Sequence, residues 1–244
     1  NGSSLAVGGP ITVQRTSPGT QIALTVLGNS TLTATNFTVQ GTAANEAVLR
    51  NEVAGNTVSF SGDLTINPGG VVDVQGTLVG GTISVAGNYQ NLEAETALQE
   101  LYGTIRFNGI GSQNITTSGF TEIFENLVVN KPGGGLNLNN SVDIRGTLTL
   151  TNGLVNTTAT EIITVRAGGT ATGSSASFVN GPMVKVGNTN FTFPVGKGSV
   201  MRPCGVSGIV GAITSAFRAE YFPADPSIFG TTGDPTLHHI STCE

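Results

Sequence analysis

The chain has 244 residues, only 10% of them are charged, and its formal net charge is −5. This length allows one large β domain or two smaller ones, each with a full core. The few charges form no basic patch, which argues against nucleic-acid binding, and no apolar run approaches the roughly 20 residues that span a bilayer. The surface must therefore be built mainly from Thr, Ser, Asn and Gln.

The chain opens with NGSSLAVGG, which lacks an initiator Met, a basic segment and an apolar segment of a leader. We expect a mature or excised piece of a longer protein.

A five-residue pattern then recurs: apolar, any, apolar, any, Gly. The two apolar residues lie two apart, so they face one side of a strand, and the Gly turns the chain at its end. Four of these glycines are spaced by 21, 25 and 22 residues, which suits the coils of a solenoid. The copies are FTVQG (37–41), VSFSG (58–62), VDVQG (72–76), ISVAG (83–87), IRFNG (105–109) and VDIRG (142–146).

This pattern predicts an all-β chain. We expect a right-handed parallel β-helix, or solenoid, over residues 1–182 and a partial, β-sandwich-like capping module over 183–244 that is incomplete at its C-terminal end. At about 22 residues per coil and ~4.8 Å per rung, the solenoid would have about eight rungs and a length near 40 Å. A β-sandwich is the alternative, because it also has short strands and glycine turns.

One segment, LEAETALQELYG (92–103), departs from the pattern and predicts a short helix. Ala94, Ala97, Leu98 and Leu101 would share a face, acids lie in the first turn, and a Gly follows.

Several phrases of the second half occur in a recognisable order. They are FNGIGSQNI (107–115), FENLVVNK (124–131), GTLTLTNGLVNT (146–157), SFVNGPM (177–183), FTFPVGKG (191–198) and FRAEYF (217–222). In this order they resemble the β-helical segments, with their following module, of large Bacteroidota cell-surface proteins. Those are type IX secretion substrates, including adhesins and gliding-associated proteins.

The resemblance implies a non-catalytic, extracellular structural or adhesive segment at the bacterial cell surface, either a stalk or an adhesin. Its partners would be other segments of the same large protein and a surface or extracellular ligand. A self-assembling filament subunit is one alternative, and a carbohydrate-active β-helix enzyme is another. The resemblance brings no catalytic residues.

The stretch FTFPVGKGSVMRP, which begins at Phe191, is interpreted as a joint that closes the open edge of the solenoid. Phe191 and Phe193 would alternate toward the core, and Pro194 would end strand pairing. Gly196 and Gly198 would then form the turn into the next module. The spacing around GKGS does not fit a phosphate-binding loop.

Carboxylates are the candidates for an enzyme, since glycoside hydrolysis needs two that converge. Asp73 and Asp143 lie between apolar residues of pentads and should point outward, while Glu161 and Asp63 fall elsewhere in the repeat. The chain also has no Trp to stack on a sugar. The sequence therefore favours a non-enzyme.

We expect no cofactor and no metal. Asp225 and Asp234 are possible calcium ligands, although Asp-Pro is first a turn signal. The adjacent His238 and His239 would point apart on a strand, so a pair of surface residues is favoured over a metal site.

Ice binding is a third functional class, because TLTAT (31–35) and TLTLT (147–151) carry Thr at every second position. A working face would need the same stripe in adjacent coils. The two stretches are more than a hundred residues apart, so ordinary β-propensity is the favoured explanation.

Export, as the resemblance implies it, means oxidising conditions, and the chain has two cysteines. We predict that Cys204 and Cys243 form a disulfide, which would tie the start of the second module to its end. Buried free thiols, or partners in a continuation of the chain, are the alternatives.

Overall fold

The computed structural model describes residues 2–17, 20–43 and 46–224. Short parallel strands stack coil upon coil into a β-solenoid of about eight turns, with extra antiparallel strands at the end. The predicted all-β solenoid is confirmed.

The first four coils each form three strands, one on each of three faces. The first face contains β1, β4, β7 and β10, the second β2, β5, β8 and β11, and the third β3, β6, β9 and β12. Their bounds are β1 (Ser4–Ala6), β2 (Ile11–Gln14), β3 (Ile22–Thr25), β4 (Thr31–Ala34), β5 (Phe37–Gln40), β6 (Ala47–Arg50), β7 (Thr57–Phe60), β8 (Leu64–Ile66), β9 (Gly70–Asp73), β10 (Thr82–Val85), β11 (Tyr89–Asn91) and β12 (Leu98–Gln99).

In coils five to eight, two strands continue from the position of the third face onto the first face. These are β15 and β17, which pair along their length with a register shift between Phe124 and Asn126. The bounds are β13 (Thr104–Phe107), β14 (Gln113–Thr117), β15 (Glu122–Asn130), β16 (Leu136–Leu138), β17 (Val142–Asn152), β18 (Val155–Asn156), β19 (Ile163–Val165), β20 (Thr170–Thr172), β21 (Val179–Asn180) and β22 (Met183–Val186).

The core consists of columns in which the inward residue of one coil lies beside that of the next. On the first face, one column is at most 2% exposed from the second to the seventh coil, because each side chain is covered by the coils on both sides. Its members in register are Leu32, Val58, Ile83, Ile105, Leu127 and Leu148. Aromatic rings also stack between the faces: Phe37 of the second face and Phe60 of the first face in the next coil have their ring centres 4.8 Å apart.

The pentad glycines allow close approach between corners of successive coils. A Cβ on Gly87 would lie 2.4 Å from the carbonyl carbon of Gly62, and a Cβ on Gly109 would lie 2.0 Å from the carbonyl oxygen of Ala86. These distances are well inside van der Waals contact. Glycine is therefore required at these corners because of the neighbouring coil.

The predicted helix over 92–103 is wrong. The segment contains a single 3₁₀ turn, Glu95–Ala97, which has no side-chain cap. Leu98 then pairs with Val72 on the third face. Pairing with the preceding coil outweighs the weak helical periodicity of an isolated segment.

The C-terminal strands pair with the last strands of the parallel stack. Their bounds are β23 (Phe191–Phe193), β24 (Val195–Lys197), β25 (Val200–Met201), β26 (Cys204–Val206) and β27 (Ala216–Ala219). β24 still pairs in parallel with β21, so parallel pairing continues past residue 182, where the sequence analysis places the boundary. β25, β26 and β27 are antiparallel partners of β24, β23 and β22.

Candidate functional site

A column of asparagine side chains connects five successive coils along the second face. The Nδ2 of each asparagine donates a hydrogen bond to the Oδ1 of the asparagine one coil earlier. The four distances are 3.0, 3.1, 2.8 and 2.9 Å. All four bonds therefore point in one direction along the solenoid. The members of this asparagine ladder are Asn88, Asn114, Asn137, Asn156 and Asn180.

Both ends of the asparagine ladder are satisfied. At the N-terminal end, Asn88 Nδ2 donates to the Asp63 carboxylate at 3.2 Å. At the C-terminal end, Asn180 Oδ1 accepts the backbone N–H of Gly198 at 3.0 Å. Such a ladder disfavours slippage between coils, because a shift by one residue would turn each amide to the opposite side of its strand.

Lys131 is a fully buried cation that holds a loop of the preceding coil. Its Nζ donates to the carbonyl oxygens of Gly109 at 3.1 Å and Gly111 at 2.8 Å, and to Oε1 of Gln113 at 2.6 Å. Burial lowers the pKa of the Lys131 ammonium to about 8. The three acceptors use all three N–H groups of the ammonium, which suits a structural role.

Lys185 repeats this arrangement two coils later. Its Nζ donates to the carbonyl oxygens of Arg166 at 2.8 Å and Gly169 at 2.7 Å, and lies 5.0 Å from the centre of the Phe191 ring. Burial lowers the pKa of Lys185 as well. The sequence analysis misses both lysines. The sequence feature that could have identified them is a single lysine close to the end of a strand with alternating apolar residues, as in LVVNK (127–131) and MVKV (183–186).

Asp73 and Asp143 do not form a catalytic pair. Each alternates with inward valines or isoleucines, as expected, yet each is buried, at 2% and 5% exposure. An arginine from an adjacent coil covers each carboxylate: Arg50 Nε lies 3.2 Å from Asp73 Oδ2, and Arg166 Nε lies 2.7 Å from Asp143 Oδ2. The two aspartates belong to the third and sixth coils, so they do not converge on one substrate.

Glu122 occupies an inward core position in register with Val142 and is fully buried. Its Oε2 accepts hydrogen bonds from Tyr89 Oη at 3.1 Å and from Asn91 Nδ2 at 2.9 Å. Burial raises the pKa of the Glu122 carboxyl to about 8, although these bonds lower it in part. The carboxyl is therefore mainly protonated at pH 7. The sequence analysis does not identify it.

Two shallow grooves lie on the surface. The first, of roughly 450 Å³, is lined by Gln14, Arg15, Thr16, Gln40, Gly41, Thr42, Asn67 and Pro68. The second, of roughly 340 Å³, is lined by Asn190, Phe191, Thr192, Gly205, Val206 and Ser207. Neither groove contains an acidic residue. Within residues 2–17, 20–43 and 46–224, no three His, Cys, Asp or Glu side chains form a group that could hold a metal ion.

The residues of the predicted joint lie where the solenoid strands end. Phe191 and Phe193 are buried, with their rings edge-to-face at 4.9 Å, and Pro194 lies between β23 and β24. Gly196 is within β24, and Gly198 has a φ of 62°, which favours glycine. Their role as a joint between modules stays a prediction.

The predicted disulfide and calcium site involve the last twenty residues. Cys204 lies in β26 opposite Phe193, whereas Cys243 lies outside the described residues. The same holds for Asp225, Asp234 and the His238–His239 pair. These expectations stay predictions.

The two threonine-rich stretches belong to one continuous polar surface on the first face. Two outward columns run side by side across the coils. In the column of Thr31, the register partners are Ser4, Thr57, Thr82, Thr104, Asn126, Thr147 and Thr170; in the column of Thr33 they are Ala6, Ser59, Ser84, Arg106, Val128, Thr149 and Thr172. The register thus places hydroxyl side chains of adjacent coils beside both stretches, although Ala6, Arg106 and Val128 interrupt the second column. The preference for ordinary β-propensity stays a prediction.

A scan of protein-family models and searches of curated proteins and of solved structures found no match to this chain. In the part of the chain that the structure describes, no helix is long and apolar enough to cross a membrane.

Proposed function

We propose that this chain is a non-catalytic structural segment of a large extracellular protein at a bacterial cell surface, where it serves as a stalk or adhesin segment. The main support for this proposal is the asparagine ladder, whose hydrogen bonds connect five coils and all point in one direction. It adds side-chain bonds between coils to the backbone pairing of the same face.

A rigid spacer follows from this geometry. In a solenoid each repeat contacts only its neighbours, so stiffness depends on the contacts between adjacent coils. Here those contacts include core columns, backbone pairing, the asparagine ladder and the two buried lysines. Eight coils at ~4.8 Å give a rod of about 40 Å, long enough to hold an attached module away from a surface.

The self-assembling filament is supported less well. At the C-terminal end the parallel stack is followed by three antiparallel strands of two to four residues, and very short edge strands disfavour pairing with another copy. Electron microscopy of the purified chain tests this directly. Single short rods support the stalk, whereas long fibres would replace it with the filament subunit.

The carbohydrate-active alternative is tested by incubation with a panel of polysaccharides and analysis of released ends. We expect no turnover, since Asp73 and Asp143 are each bonded to an arginine and Glu122 is enclosed in the core. Specific cleavage would refute the structural role. Immunogold labelling of source cells tests the surface location, and label confined to the cytoplasm would contradict it.

Ice binding is a second candidate function, favoured by the two polar columns of the first face. In these columns hydroxyl groups of neighbouring coils lie at the strand spacing of ~4.8 Å. The two columns together contain one charged residue, Arg106. Thermal hysteresis is the measurement. Thr57→Lys on this face should abolish any activity, whereas Thr65→Lys on the second face should not. No hysteresis in the parent chain would reject this candidate.

A further inference from the structure

The third face of the solenoid is interrupted between the fourth and fifth coils. β12 is the last strand of the four-stranded sheet β3–β6–β9–β12. The other two faces continue across this level through the pairs β10–β13 and β11–β14. The interruption therefore affects the third face alone. We call β1–β12 the N-terminal block and β13–β22 the C-terminal block; the two stay joined along the first and second faces.

Glu122 begins β15, directly after this interruption, and its side chain reaches back to the N-terminal block. The carboxyl accepts hydrogen bonds from Tyr89 at 3.1 Å and Asn91 at 2.9 Å, both on β11. Its own backbone N–H donates to Ser141 of the next coil at 3.0 Å. One residue thus bonds to both blocks.

Burial opposes the ionisation of this carboxyl. Its hydrogen-bond donors, a phenol, an amide and the adjacent backbone N–H of Ile123, favour the ionised form and offset the burial only in part. The charge of Glu95 on the 3₁₀ turn raises the pKa of Glu122 further, and Glu100 after β12 raises that of Tyr89. Arg145 of β17 bonds to Glu100, at 2.6 Å. Within the described residues, ionised Glu122 would therefore be a buried charge that no ion pair balances.

We propose that Glu122 is a proton-dependent latch, which holds the third face closed across its interruption while protonated and lets this face open locally when the proton is lost. The protonated carboxyl fits the apolar core and keeps both bonds to β11. The carboxylate instead favours an open arrangement in which water reaches it.

The pH window follows from the direction of the shift. Burial raises the pKa of the closed carboxyl from 4.5 to about 8, so the latch is fully effective below pH 4.5. Its contribution is lost as pH rises to about 8 and changes little above that. By linkage, the equilibrium constant for opening should rise roughly 300-fold between pH 5 and pH 8.

Hydrogen–deuterium exchange on the full chain, corrected for intrinsic rates, measures this opening. We expect amides at 98–103 and 122–124, on the two sides of the interruption, to lose protection by this factor between pH 5 and pH 8. Glu122→Gln retains an acceptor but does not ionise, so its protection should be nearly constant over this range. Glu125→Gln, a partly exposed glutamate of the same strand, is the matched control and should behave as the parent chain.

Two results would overturn the proposal: the same pH dependence in the parent and in Glu122→Gln, or a loss of protection spread evenly over all coils. The parent chain also provides a test that does not depend on a variant. Carbon-13 NMR of glutamate carboxyls should show one group titrating near pH 8. Titration of every glutamate near pH 4.5 would refute the latch.

Discussion

The replacement of Asn137 by alanine tests the role of the asparagine ladder. Asn137 donates to Asn114 at 3.1 Å and accepts from Asn156 at 2.8 Å, so the substitution removes both bonds at the middle of the ladder. At a net ~1 kcal/mol per hydrogen bond, the free energy of unfolding should fall by about 2 kcal/mol.

Asn139→Ala is the matched control, since Asn139 lies two residues further along the same coil. It is exposed and makes one side-chain bond, to Thr116 Oγ1 at 2.9 Å. Water replaces an exposed bond of this kind, so we expect a loss of at most ~0.5 kcal/mol. Urea unfolding, followed by circular dichroism, measures both variants. Equal losses in the two variants would show that the ladder adds no stability beyond that of a surface amide.

Three further predictions concern the corners and the C-terminal module. Lys131→Met removes the donor from the carbonyl oxygens of Gly109 and Gly111, while Gln113 Oε1 keeps the backbone N–H of Gly109. Urea unfolding should show a loss of about 2–4 kcal/mol. Lys197→Met, at an exposed site, should cost under ~1 kcal/mol, and similar losses in the two variants would contradict the role of burial. Gly87→Ala places a Cβ 2.4 Å from backbone of the preceding coil, and unchanged thermal stability would refute the requirement for glycine there. Intact-mass analysis after alkylation should show no free thiol at Cys204 or Cys243 without reductant, and labelling of both in the unfolded chain would exclude the disulfide.

The alternation of apolar residues was enough to predict the solenoid. Val58 and Phe60, or Ile83 and Val85, lie two apart in the sequence, and a strand places such residues on one face whatever its neighbours are. The glycine spacing predicted about eight coils for the same local reason, since each corner needs a residue without a side chain. Local geometry and composition determine both features.

The 3₁₀ turn at 95–97 marks where local reasoning failed. The helical pattern of 92–103 is real in the sequence, but Leu98 gains more from pairing with Val72 than from a short isolated helix. Local reasoning is also incomplete for Asp73. The alternation places its side chain correctly on the outward side of the strand. Its burial depends on Arg50, 23 residues away, which no local pattern identifies.

The sequence by itself determined the class of fold, the inward positions of the pentads and the near absence of charge on the surface. Only the tertiary structure decided which polar residues meet. Asn88 and Asn114, Lys131 and the carbonyl of Gly109, and Glu122 and Tyr89 are each separated by 22 to 33 residues. Coil length varies along the solenoid, from 27 residues at Ser4–Thr31 to 20 at Ile163–Met183. The corners absorb these differences, since the ladder asparagines lie 26, 23, 19 and 24 residues apart in the sequence and still meet. No fixed spacing in the sequence identifies such partners, so the ladder is a property of the stacked chain.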